Sequence, residues 1–212
     1  TPEAAHDEYV SDPNKPVPYT PRITPYWSQT FLAEDQRFAA MRPDVLVYET
    51  PPLEEDVTIA GPVRAHLRVS TTGRDADWVV KLVDVWPGKL PGKPKSPRPW
   101  AEPPDLGGRQ TLVRAEVLRG RYRNSFEKPE PFTPGEVTKV KVELLDVMHT
   151  FKRGHRIMVQ VQSSWFPYVD RNPQSFVKNI FEAKEADFVK ATHRVYRSAI
   201  YPSFVQVGVL GR

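Results

Sequence analysis

No cysteine occurs in the 212 residues. Disulfide staples, thiolate zinc sites and a cysteine nucleophile are thereby excluded together, and whatever fold the chain adopts must be held by packing alone. Glycine is sparse, at 11 residues. Uninterrupted apolar runs are only a few residues long, far short of the roughly 20 that a helix needs to cross a bilayer, so no membrane partner is expected. Neither charge sign dominates. Thirty Lys and Arg against 26 Asp and Glu leave +4, and the bases are interspersed with acids instead of forming a stripe with interleaved aromatics. A nucleic-acid partner is not expected on that pattern.

The usual catalytic and metal signatures are missing as well. A nucleophile elbow needs Gly-x-Ser-x-Gly to place its serine on a strained strand-to-helix turn, and the run is absent. The five histidines, His6, His66, His149, His155 and His193, lie far apart without His-x-x-x-His spacing; they read as surface or structural groups. Asp75 and Asp77 could suggest a calcium loop or paired catalytic carboxylates. A hydrophobic strand pattern follows at once, so turn chemistry is the simpler reading. From these residues no catalytic group, metal site or cofactor is expected within the chain. Thr1 to Tyr9 are polar and acidic, unlike a signal or transit peptide.

What the chain has in excess is proline, 23 residues. Each one inside a helix would cost about 3 kcal/mol through a lost hydrogen bond and a clash with the preceding turn, which leaves little room for long helices. Residues 1–44 read as an extended lead-in packed on the rest, with Pro13, Pro16, Pro18, Pro21 and Pro25 holding the backbone open. Within it only Trp27 to Met41 could be helical, a loop that packs its aromatics being the equal alternative.

From Val45 the period becomes two. Val63, Ala65, Leu67 and Val69 alternate with Arg64, His66, Arg68 and Ser70, as in a half-buried strand. Trp78 to Trp86 is apolar on nearly both faces and reads as a central strand, while Arg156 to Gln162 turns Ile157, Val159 and Val161 to one side. Similar blocks at Val45–Thr50, Val57–Ala60, Thr111–Leu118, Val137–Leu145, Thr192–Arg197 and Phe204–Val209 bring the total to about nine strands. No long helical pattern separates them, so residues 45–212 are expected to be an all-β, jelly-roll β-sandwich of two antiparallel sheets. Pro87 to Pro104, with seven prolines, reads as a surface loop.

Several segments, in order, resemble one family. They are Tyr9-Val10-Ser11-Asp12-Pro13, Asp35-Gln36-Arg37, Arg42-Pro43-Asp44-Val45-Leu46, Asp77 to Val85, Gly120-Arg121-Tyr122-Arg123, His155 to Ser164, Phe166-Pro167 and Asp170-Arg171-Asn172-Pro173. The chain resembles the C-terminal domain of the cocaine-esterase-like and X-Pro dipeptidyl-peptidase hydrolases, and within them the α-amino acid ester hydrolases and glutaryl-cephalosporin acylases. The resemblance implies a galactose-binding-domain-like jelly roll that carries no catalytic residue. It also implies a partner, an upstream α/β-hydrolase domain with a Ser-Asp-His triad, on which this domain would dock and whose active-site cleft it would help to wall.

On that basis Tyr26 and Trp27 are candidates for the substrate-pocket wall. Trp165, Phe166, Tyr168, Asp170, Arg171 and Asn172, three aromatics beside an Asp-Arg pair after a strand, are candidates for the domain interface. A carbohydrate-binding module and an oligomerising domain, which would make a homo-oligomer, stay open as alternatives. The compartment is open too, the resemblance leaning toward a periplasmic or secreted setting.

Overall fold

A computed structural model describes residues 5–24, 26–88 and 106–211. Its strands are β1 (His6–Ser11), β2 (Leu46–Glu49), β3 (Val57–Thr71), β4 (Asp77–Val85), β5 (Gln110–Arg119), β6 (Thr138–Phe151), β7 (Arg156–Gln162), β8 (Ala191–Tyr196) and β9 (Phe204–Gln206). They form two antiparallel sheets. The first runs β1-β8-β3-β6, with β9 also on β3, and the second runs β2-β7-β4-β5. A chain that passes between two sheets in this order is a jelly roll, as the strand pattern predicts.

Period-two alternation decides where the core sits. Val63, Ala65, Leu67 and Val69 of β3 and Val140, Val142 and Leu144 of β6 face Trp78, Val80 and Leu82 of β4 and Val161 of β7 across the space between the sheets. All nine residues of β4 are buried. Its even-numbered apolar side chains enter this core, while Val79 packs against Tyr19, Phe31 and Trp165 on the outer face.

The lead-in is more structured than proline content suggests, and less helical. Residues 6–11 form a regular strand: β1 pairs with β8 from His6↔Tyr196 to Ser11↔Ala191 and closes an edge of the first sheet. The remainder crosses the outer face of the second sheet. Over 27–41 there is one 3-10 turn, Phe31–Ala33, and one helical turn, Arg37–Ala40, separated where Glu34 is extended, Asp35 bridges to Thr111 of β5 and Gln36 N donates to Gln110 O.

The blocks 57–60 and 63–70 are a single strand. Gly61, at φ 91°, and a register shift between Pro62 and Arg64 form a bulge that absorbs the proline without ending the strand. β6 likewise continues past Leu145 to Phe151, whereas β9 is only three residues long. Of the proline-rich segment 87–104, residues 89–104 lie outside the described residues.

Candidate functional site

The outer face of the second sheet holds the least expected chemistry. Alternation turns Lys81 of β4 away from the core, yet the lead-in covers it so completely that its exposure is 0%. Nζ donates to Gln36 Oε1 at 3.1 Å and stands 5.1 Å from the Trp165 ring and 5.8 Å from that of Phe38. Gln36 is itself fixed, since its amide nitrogen donates to Glu34 O at 2.9 Å. No carboxylate pairs with the amine among the described residues. Burial therefore lowers its pKa from 10.5 to about 7.

An aromatic cap lies over this amine. Phe31 is 5.9 Å from Trp165 and 5.1 Å from Tyr168, Trp165 is 4.8 Å from Tyr168, and Trp27 is 5.1 Å from Tyr19 and 5.9 Å from Tyr168. Tyr19 OH accepts from Ser28 N at 2.7 Å and holds the Trp27 segment down. Exposure rises across the cap, from 3% at Trp165 through 46% at Tyr168 to 54% at Trp27. Beside it a concavity of about 290 Å³ is lined by Leu32, Trp165, Tyr168 and the outer face of β5 from Leu112 to Val117.

The candidate residues divide on this scaffold. Trp27 belongs to the cap; Tyr26 stands beside it, 80% exposed. Phe166, Tyr168 and Asp170 reach solvent, but Trp165 and Asn172 are buried within the domain. Asn172 donates to Asp77 Oδ1 at 2.8 Å. The guanidinium of Arg171 is also engaged internally, donating to Pro13 O at 3.1 Å and Asn14 Oδ1 at 3.2 Å while lying 4.6 Å over the Phe188 ring. It therefore ties the lead-in to this segment, and an outward salt bridge is not its main contact. Arg171→Ala should accordingly destabilise the isolated chain by about 1–2 kcal/mol in chemical unfolding; an unchanged midpoint would show that these contacts contribute nothing.

Asp75 and Asp77 do more than shape a turn. Arg121 Nε meets Asp75 Oδ2 at 2.6 Å with both side chains buried, and Arg119 pairs through two nitrogens with Asp77 at 3.1 Å. Asp77 and Arg119 are register partners, the first residue of β4 against the last of β5. Gly120 makes the turn between the two arginines possible: a Cβ there would stand 2.5 Å from Phe132 and 2.6 Å from Ala76 O. Both arginines then reach onward, to Asp170 O at 3.3 Å and Val177 O at 2.8 Å. This network fixes the segment that carries Tyr168.

Three of the five histidines are structural. His149 and His155 share Asp84, at 3.0 and 2.8 Å, and His193 is buried against Gln174. Among the described residues no group of three or more His, Asp or Glu is arranged to hold a metal ion.

A two-sheet jelly roll with half-exposed aromatic rings on one outer face is a β-sandwich module. The chain belongs to the family of X-Pro dipeptidyl-peptidase C-terminal non-catalytic domains, whose model matches residues 4–206. It is 32% identical over 206 residues to the cocaine esterase of Rhodococcus sp. (strain MB1 Bresler), covering 97% of this chain and 32% of the esterase. Among solved structures it is similar to an aminopeptidase from a marine sediment Thaumarchaeota archaeon, at 47% identity and a TM-score of 0.89, covering 99% of this chain and 34% of that one. An α-amino acid ester hydrolase matches at 46% identity and a TM-score of 0.90, covering 99% of this chain and 33% of the hydrolase. The chain thus spans about a third of the length of these three relatives.

Proposed function

We propose that this domain serves a serine acyl hydrolase by docking on its α/β-hydrolase catalytic domain and forming part of the wall of the active-site cleft. The observation that carries the reading is the graded aromatic cap. Trp165 and Phe31 are locked beneath, so Trp27 and Tyr168 are held half-exposed at little entropic cost, as anchors at an interface between domains are. Tyr26 and Trp27 are assigned to the wall, Phe166 and Tyr168 to the docking boundary. Acyl transfer is the reaction class because the relatives are an esterase, an ester hydrolase and an aminopeptidase, and clefts form preferentially where domains meet.

The test is a chimera in which this chain replaces the corresponding third of the α-amino acid ester hydrolase. Alone, the chain should turn over no p-nitrophenyl ester. The chimera should, and Trp27→Ala with Tyr168→Ala should weaken the domain junction by about 2 kcal/mol or more and raise KM. A chimera indifferent to both substitutions, or esterase activity in the isolated chain that a serine-directed inhibitor abolishes, would defeat the reading.

A further inference from the structure

The opposite outer face, that of the first sheet, has a charge arrangement that its own register makes unfavourable. β3 and β6 place His66 opposite Lys141 and Arg68 opposite Lys139, two consecutive outward pairs that set base against base. Cross-strand neighbours of like charge destabilise a sheet. The next pair, Arg64 and Glu143, supplies the one carboxylate of these three rows, and it is already shared: Arg64 Nε lies 3.0 Å away and Lys141 Nζ closes on its other oxygen. Arg68 and Lys139 have no ion-pair partner among the described residues.

On the other side of β3, β9 sets Phe204 opposite His66, and the two rings stack at 4.8 Å and 18°. His66 Nε2 is 3.2 Å from Gln206 Oε1. The segment before β9 is pinned to the same place, because Ser203 Oγ accepts from Arg68 N at 2.9 Å. The result is a cleft of about 290 Å³ lined by His66, Arg68, Lys139 and Lys141, with Pro202 and the half-exposed Phe204 as an apolar wall. Arg68 and Lys139, cross-strand neighbours without an ion-pair partner among the described residues, both line it, and a guanidinium can grip two oxygens of one anion.

We propose that this cleft binds a phosphate monoester of a small planar alcohol. The dianionic head would lie between Arg68 and Lys139, relieving the repulsion the register imposes, and the planar body would rest on Phe204 and Pro202. Nothing in this reading depends on the cap of the second sheet or on any catalytic partner. The two proposals therefore stand or fall separately.

Phenyl phosphate and inorganic phosphate, titrated calorimetrically into the full chain at low ionic strength, test it. Phenyl phosphate should bind several-fold more tightly than inorganic phosphate. Lys139→Gln, at an exposed position, should weaken phenyl phosphate at least fivefold, and Arg68→Gln about tenfold. The thermal midpoint gives a second readout with opposite signs: without ligand at low salt, Lys139→Gln should melt no lower than the unsubstituted chain, while in phenyl phosphate it should melt lower. Equal affinity in the three proteins would overturn the site. Equal binding of the two ligands would overturn the ester and its apolar wall, and no binding at millimolar phenyl phosphate would overturn the whole proposal.

Discussion

Acidification from pH 7 to 4.5 is expected to remove about 2–3 kcal/mol of stability through His193 alone. The imidazole is fully buried, edge-on to the rings of Tyr9 and Trp78 at 5.4 Å each. Its tautomer follows from its neighbour. Gln174 spends its amide nitrogen on Ser11 O and Val189 O, at 3.0 and 2.7 Å, so its Oε1 must accept, and His193 Nε2–H donates to it at 2.7 Å. A second proton would have to enter at Nδ1, which is buried and has no partner among the described residues. Burial thus lowers the pKa from 6.5 to about 3.

The sign follows from proton counting. Between pH 6.5 and 3 the unfolded chain holds a proton that the folded chain excludes, so stability falls as pH falls, by about 1.4 kcal/mol per unit. His193→Gln keeps an N–H for Gln174 and cannot titrate in this range. Urea unfolding of both proteins at pH 7 and pH 4.5 isolates the effect, since every other group is common to the pair. The variant should lose about 2–3 kcal/mol less than the unsubstituted chain; equal losses would show that His193 is not the titrating group.

Most of the sandwich was legible in the sequence because alternation records a face. The β3 pattern from Val63 to Ser70 and the doubly apolar β4 placed the core correctly, and the family motifs placed the whole chain. β1 was not legible: His6 to Ser11 have a ragged pattern, with Tyr9 and Ser11 buried but Val10 exposed, and they become a strand through pairing with β8, almost the whole chain away. Helix and aromatic-packed loop stayed open over 27–41 because local propensity cannot see that Asp35 and Gln36 are drawn to Gln110.

The site was legible only in composition. Trp27, Phe166 and Tyr168 stood out as aromatics, but the division between buried Trp165 and half-exposed Tyr168 depends on which ring lies nearer β4. The arginines that hold Asp75 and Asp77 lie more than forty residues further along the chain, beyond any local pattern. Lys81 was read simply as part of a strand, because a lysine in an apolar run gives no sign of whether a loop will close over it.

Lys81→Met is expected to stabilise the domain by about 2 kcal/mol at pH 7 and to lose that advantage by pH 9.5. The unfolded amine titrates near its ordinary 10.5, the buried one at about 7. Between those values the unfolded chain binds the extra proton, so the stability of the unsubstituted chain rises with pH, by about 3 kcal/mol from pH 7 to pH 9.5. Methionine has nearly the same length and suits the space between Trp165 and Phe38, and it carries no charge to desolvate. The substitution leaves Gln36 Oε1 without its donor, which costs about 1–3 kcal/mol at every pH. The charge term outweighs that loss at pH 7 and falls below it at pH 9.5, so the two unfolding curves should cross. Burial raises the pKa of Tyr9 and Tyr48 above the ordinary phenol value, which keeps their ionisation in the folded state clear of this window. A methionine variant less stable at both pH values would mean that Lys81 is held by more than Gln36 and two rings. Trp165 fluorescence offers a second readout at the cap itself: its ring stands 5.1 Å from the amine, so its emission should titrate near pH 7 in the unsubstituted chain and be flat there in Lys81→Met.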